Sequence, residues 1–392
     1  MKKHKFVLPL IVFAQFTGTS LWFVGNAVLP ELKVVLQLNQ YAVSLVTTAV
    51  MIGFVAGTLV FALFNLSDRF SPVKLFFLSS VLGAVSNAAV IWLATDAGSL
   101  FLLRFLTGFF IAGIYPVGMK IAADWFEKSL GKALGFLLGA LILGTAFPHL
   151  LKNADFNLPW KSVLYFTSFF AFAGGIVMIL FVGDGPHRKK SGGFKWNAIG
   201  TIFQSKKTRQ ASFGYFGHMW ELYSFWGFLP VILALYAAKN QVQLNIPLLS
   251  FLIIGCGCIS SIIGGYLSQH FGSAKVATTA LSISGICCVL SPFIFSLPPF
   301  VFLLILFIWG FGVSPDSPQF STLVAQYAPE NLKGTALTIY NSIGFFITII
   351  SLIVIDRLFN STLLLSSTNT FVILAIGPVL GIIPMIRIIK KS

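Results

Sequence analysis

FNLSDRFSPVKL, Phe64 to Leu75, is a short polar break between two apolar runs, and a version of it occurs a second time. GYLSQHFGSAKV, Gly265 to Val276, aligns with it without a gap at an offset of 201 residues. The alignment pairs Leu66 with Leu267, Ser67 with Ser268, Phe70 with Phe271 and Lys74 with Lys275. GKAL (Gly131 to Leu134) is answered by GTAL (Gly334 to Leu337) at an offset of 203. Either match alone is within the reach of chance in apolar sequence. Two at nearly one offset read as a chain built twice.

What the breaks separate is hydrocarbon. Of 392 residues, 57% are hydrophobic and 9% charged, whereas soluble domains carry about 25% charged residues. Apolar runs of about 20 residues, the length of a bilayer core, follow one another with short polar connections. Twelve spans are expected, at 6–30, 41–64, 73–94, 99–121, 131–151, 161–183, 212–237, 247–269, 274–296, 299–321, 334–358 and 370–389. None alternates with period two, which excludes a β-barrel. The expected fold is an all-α polytopic membrane protein, with twelve transmembrane helices in two pseudo-symmetric six-helix bundles. The N-terminal bundle covers 1–183, a basic linker 184–211 and the C-terminal bundle 212–392.

Charge gives the orientation. With both termini on the cytoplasmic side, inner segments hold 20 of the 26 Lys and Arg residues and outer segments 5, as the positive-inside bias requires. The net charge of +15 is thereby explained by topology, and no nucleic-acid partner is called for. MKKHK and the run after it are read as the first span, because the run exceeds a signal-peptide core and lacks a small-residue cleavage site. Cys256, Cys258, Cys287 and Cys288 all lie within spans, in pairs that do not share a helix face, so neither a metal nor a disulfide is expected. No cofactor is expected either, and the protein is taken to be a monomer in the lipid bilayer.

Six spans, a long inner loop and six more spans resemble the major facilitator superfamily. LSDRFSPVK resembles that family's motif after the second helix, an Asp-Arg core followed by Gly and basic residues. Asp68 and Arg69 match it, while Phe64, Ser71 and Pro72 depart from it. RFLTG, Arg104 to Gly108, resembles the fourth-helix motif, an Arg four residues before a Gly. The run from GIYPVGMKIAADWF through GKALGFLLGALILGTAFPHL is similar to bacterial carriers grouped with nitrate and cyanate transporters. The Gly-rich nitrate signature is absent, so that substrate is not implied. The resemblance implies transport by alternating access in a bacterial inner membrane. It also implies that Arg104 faces a central cavity, and that Asp68 and Arg69 gate the inner side, with the Asp meeting the eleventh helix near PENLKGTAL. Helix-dipole physics favours such a contact. The second copy has Gln269 and His270 in their place, so the latch is asymmetric.

Charge inside a membrane is expensive, roughly 2.5–3.5 kcal/mol per residue on insertion scales, and usually functional. Glu221, about 14 Å along the seventh span at helical rise, is read as a proton-coupling site. His218, three residues earlier, is expected on the same face and within reach of sharing its proton. The alternative for Glu221 is a structural carboxylate pinned to a Lys, Arg or Tyr of the other bundle. Arg104 is read as a solute or proton ligand, or else as a bridge to backbone carbonyls. Asp316 sits between Pro315 and Pro318, which break the tenth helix and free its carbonyls; it either lines the site or only shapes the inner gate. Gln15, Trp22 and Asn26, at spacings of seven and four, are taken to share a face of the first helix, with Trp22 as a ligand platform or as packing. Trp220, Tyr223 and Trp226 are candidate walls around the solute, and Tyr115 with the pair Tyr340 and Asn341 are further candidates. Lys120 is read as snorkelling to the inner interface, and His149 as interfacial or gating.

The expected function is secondary transport of a small polar organic solute, amino-acid-like or a carboxylate, by proton symport. One proton crossing 100 mV supplies about 2.3 kcal/mol. A proton-coupled efflux antiporter for an amphiphilic metabolite or drug is the alternative within transport; the fifth span lacks the Gly-Pro then Gly-Gly ending of the family's exporters, which favours import. A non-transporting receptor is the alternative outside it. There is no H-E-x-x-H, G-x-S-x-G or Walker lysine loop to support an enzyme or an ATP-driven pump, and no repeated filter or charge ring to support a channel.

Overall fold

The computed structural model describes residues 4–126, 130–153, 158–188, 198–329, 332–361 and 368–390. Residues 189–197 of the expected linker lie outside these. Backbone contacts divide the chain into two compact units, Met1–Phe194 and Lys195–Ser392. Among the described residues, eleven helices are long and apolar enough to cross a membrane, and Phe6–Thr19 is a shorter apolar helix. This is the twelve-helix, all-α architecture.

The first unit contains α1 (His4–Thr19), α2 (Val24–Ala27), α3 (Leu29–Val35), α4 (Ala42–Leu63), α5 (Leu66–Arg69), α6 (Pro72–Leu93), α7 (Ala97–Ile111), α8 (Tyr115–Trp125), α9 (Leu130–Leu151) and α10 (Trp160–Val177, extended by a π turn to Val182). α4 packs along α7, α6 along α10 and α7, and α1 along α9 and α10. The expectation of one helix over 6–30 is corrected: the backbone leaves the helix after Thr19 and resumes at Val24. Hydroxyls cause the local competition, since Thr17 donates to Ala14 O, Thr19 to Gln15 O and Ser20 to Thr17 O. Such back-bonding offers the chain an alternative to the helical ladder.

The second unit contains α11 (Ala198–Gln204), α12 (Lys206–Asn240), α13 (Ile246–Phe271), α14 (Ser273–Ile294), α15 (Pro299–Gly312), α16 (Ser317–Tyr327), α17 (Lys333–Phe359) and α18 (Ile376–Ile389), the last preceded by a 3-10 turn, Thr370–Ala375. α12 packs on α18 and α17, and α14 on α18 and α15. α12 starts six residues before the expected 212, because the Ser205 side chain caps it by accepting from the Thr208 N–H at 3.3 Å and its basic first turn needs no hydrocarbon. The tenth span is broken between Gly312 and Ser317, as its prolines predict, and the fourth is broken in the same place, between Ile111 and Tyr115.

Candidate functional site

Buried polar groups occur in both units, and Arg104 of the first and the His218–Asp316 pair of the second lie at helix breaks. In the first unit the break after Thr19 frees backbone carbonyls that have no water to turn to. Arg104, 1% exposed, takes two of them. Its Nη2 donates to Leu21 O at 3.0 Å and Trp22 O at 2.7 Å, and its Nη1 to Asn87 Oδ1 at 3.0 Å. Asn87 in turn donates to Ser168 Oγ and Thr167 Oγ1, at 3.0 and 3.2 Å. Arg104 therefore makes the carbonyl bridge that was the alternative to solute binding, while its Nε has no hydrogen-bond partner.

The same break overturns the shared face of Gln15, Trp22 and Asn26, because a helical spacing has no meaning across residues that are not helical. Trp22 is buried and packs on Phe54, with centroids 4.8 Å apart. Asn26 donates to Thr47 Oγ1 at 2.7 Å, and the Gln15 amide is buried against Gly118 of α8. Tyr115, half-buried, is the first residue of α8. His149 is 2% exposed and lies in the last turn of α9.

In the second unit Glu221 is fully buried on α12. Its Oε1 accepts from Trp309 Nε1 at 2.6 Å and Cys288 Sγ at 3.2 Å, and its Oε2 from Ser284 Oγ at 2.9 Å. All three donors are neutral and all belong to Glu221's own unit, in place of the Lys, Arg or Tyr of the other bundle that the alternative reading called for. Sequence reasoning missed these partners. The one signal was Trp309, which like Trp22 lies at mid-span, away from the interfacial belts where Trp is common.

His218 does not share Glu221's hydrogen bonds, which corrects the expected pair. Its Nδ1 lies 2.9 Å from Asp316 Oδ1, with both side chains fully buried. Spacing of three places two Cβ atoms on one face, but the partners come from elsewhere: α14 and α15 for Glu221, and the α15–α16 break for His218. Asp316 is the residue before α16, at the positive end of that helix. Around the pair stand Tyr215, 5.8 Å from the His218 ring, and Phe320, at 6.2 Å. Tyr215 donates to Asn341 Oδ1 at 2.9 Å and packs on Tyr340 at 4.4 Å, and Tyr340 shares a short hydrogen bond with Ser321. Of the candidate walls, Trp220 donates to Ile373 O at 3.0 Å, while Tyr223 and Trp226 pack on each other.

The Asp-Arg motif sits in an ionic cluster of the first unit. Lys120 Nζ lies 3.0 Å from Asp68 Oδ1 and 3.8 Å from Asp124 Oδ1, so Lys120 is paired and the snorkelling reading is corrected. Arg188 donates to Asp68 O and Phe70 O, at 3.1 and 2.6 Å, and pairs with Asp184. Ser71 donates to Asp184 Oδ1 at 2.7 Å, so the residue standing where the motif has Gly ties the end of the sixth span to the break. Arg69 is exposed. Glu330 and Asn331, at the expected docking point of the eleventh helix, lie outside the described residues. No group of His, Cys, Asp or Glu able to hold a metal occurs among the described residues.

The family model described as Major Facilitator Superfamily matches residues 11–352. An uncharacterized protein of Campylobacter jejuni subsp. jejuni is 26% identical over 298 residues, covering 72% of this chain and 87% of that protein. A shorter match, 32% identical over 96 residues, covers 24% of this chain and 21% of the probable galactarate/D-glucarate transporter GudP of Escherichia coli K12. Among solved structures, a mutant of the nucleoside transporter NupG superposes with a TM-score of 0.74 at 14% identity, covering 97% of this chain and 99% of that one.

Proposed function

The chain belongs to the Major Facilitator Superfamily, and from that premise we propose that it is a proton-coupled secondary transporter, a symporter of a small polar organic solute of amino-acid-like or carboxylate type. One observation carries the proton: Glu221 is an acid without exposure, held by three neutral donors and by no cation. An uncompensated charge at that depth is expensive, and a bound proton removes the expense.

The surroundings suit both forms of the group. When Glu221 is ionised, the Ser284 hydroxyl donates to Oε2. When Oε2 carries a proton, that proton is donated to Ser284 Oγ, and the hydroxyl turns to Leu281 O, 3.3 Å away. Neither state strands a buried donor, so a hydroxyl rotation keeps the local hydrogen bonds satisfied in both forms. The His218–Asp316 pair supplies a second buried proton position at the break of the tenth helix.

Two observations support a carboxylate-bearing solute. Arg104 retains an Nε–H without a hydrogen-bond partner beside the three bonds its Nη atoms make, and guanidinium groups favour carboxylates. The short match to a relative named for galactarate and D-glucarate points to the same chemistry.

The test uses proteoliposomes of the full chain with an internal pH dye, challenged with galactarate, D-glucarate and a panel of amino acids. A solute that acidifies the lumen on entry is the coupled substrate. Glu221→Gln is expected to abolish uphill accumulation while leaving solute exchange measurable. Undiminished uphill uptake by that variant removes Glu221 from coupling.

A further inference from the structure

The second unit has an apolar cleft of about 380 Å³ that the transport reading does not use. Its walls come from α13, α14 and the end of α15, with Gly264, Leu267, Phe271, Thr279 and Pro315 among the lining residues and Lys275 at one end. Leu267, Phe271 and Thr279 are exposed at its rim. The cleft follows α13 from Ser260 to Phe271, about 16 Å at helical rise. That is half of a hydrocarbon core about 30 Å thick, the depth of one leaflet.

The helix breaks of the two units are walled differently. In the first unit Gly113, at the α7–α8 break, faces the Phe61 ring, which an added Cβ would meet at 2.6 Å, and Phe61 packs edge-on to Phe109 at 6.1 Å. In the second unit Pro315, between α15 and α16, faces Gly264 of α13, where an added Cβ would meet Pro315 Cβ at 2.8 Å. The first unit's break meets an aromatic ring, whereas the second unit's break meets a glycine.

Lys275 supplies the other half of a ligand. It is exposed, at the junction of α13 and α14, with no ion-pair partner among the described residues. The positive-inside distribution assigns that junction to the cytoplasmic leaflet, where anionic lipids gather and basic pockets between helices take their headgroups. We propose that this cleft is a site for an anionic glycerophospholipid, one acyl chain lying along α13 between Gly264 and Thr279 and the phosphodiester on Lys275. The chain packs against Pro315, next to the buried Asp316, so the lipid touches the break that positions the His218–Asp316 pair.

The site stands whether or not the chain couples protons, and its test measures no transport. Full-length protein is purified, stripped of lipid and titrated by native mass spectrometry with phosphatidylglycerol and with phosphatidylcholine of the same acyl chains. The first lipid bound is expected to favour phosphatidylglycerol by about fivefold, the weight of one surface lysine. Lys275→Gln is expected to bring that ratio to one. Thr279→Trp, at an exposed lining position, is expected to fill the cleft and remove the first adduct of both lipids. Both variants should keep the elution profile of the parent. Equal first-lipid binding in the parent, an unchanged ratio in Lys275→Gln, or an undiminished first adduct in Thr279→Trp would each overturn the proposal.

Discussion

Arg104 shows how one residue can answer a problem set eighty residues away. The helix break after Thr19 strands the carbonyls of Leu21 and Trp22, and the guanidinium of α7 reaches both while holding Asn87. Arg104→Ala would remove three buried hydrogen bonds from a charged donor, each worth about 1.5–3 kcal/mol. We therefore expect a large fall in melting temperature even with no solute present. Arg104→Lys should recover only part of it, because an ammonium cannot reproduce the planar fork. A solute-free melting curve like the wild type would mean that the carbonyl bridge contributes nothing to the fold. Which residues carry charge in the membrane was readable from composition alone, as the positions of Glu221, His218, Asp316 and Arg104 attest. Their partners were not readable. Ser284, Cys288 and Trp309 meet Glu221 from helices 63 to 88 residues away, and local spacing carries no information at that range.

At the scale of helices, the repeat is more visible in the packing than in the sequence. A Cβ at Gly108 on α7 would fall on the carbonyl oxygen of Val50 on α4, and a Cβ at Gly310 on α15 would fall on that of Ile253 on α13. The two crossings are equivalent at offsets of 202 and 203, and both let backbones touch through a small residue. Gly108→Ala and Gly310→Ala should each cost about 1–3 kcal/mol as overpacking, read as thermal destabilisation. Gly265→Ala, with nothing within 4 Å, should be neutral or mildly stabilising by helix propensity. Equal effects at all three would refute the close crossing. The N-terminus of α7 makes a smaller prediction. Asp96 caps it in a reciprocal box with Ser99, and hydrogen bonds from the Ser99 backbone and hydroxyl hold its carboxyl below the ordinary value of 3.8. That contribution is present above the unfolded value and lost as pH falls through the lower folded one. Asp96→Asn keeps a capping acceptor and should flatten the acid side of the stability profile, measured as melting temperature against pH. The breaks at the fourth and tenth spans carry prolines, and the tenth was legible for that reason. The break in the first span carries none; its signal was the run Gly18-Thr19-Ser20, which composition alone reads as ordinary membrane helix.

For the molecule as a whole, the two-half architecture was legible because it is written three times: in the count of apolar runs, in the repeat at an offset near 201, and in the distribution of charge. Only the last speaks to orientation, and α12 turns it into a measurement. At 35 residues this helix is about 52 Å long, well beyond a core of about 30 Å, so both ends stand in water. Lys207 near its start and Lys239 near its end are both exposed, and the four native cysteines lie inside spans, none of them exposed. Cysteines introduced singly at the two positions therefore report the two sides of the membrane against a quiet background. With both termini cytoplasmic, Lys239→Cys should react with a membrane-impermeant maleimide in intact cells, and Lys207→Cys only after the membrane is opened. The inner loops holding most of the Lys and Arg make the opposite insertion unfavourable, so the labelling should be all-or-none. Labelling of Lys207→Cys in intact cells would invert the topology, and with it the leaflet assigned to Lys275.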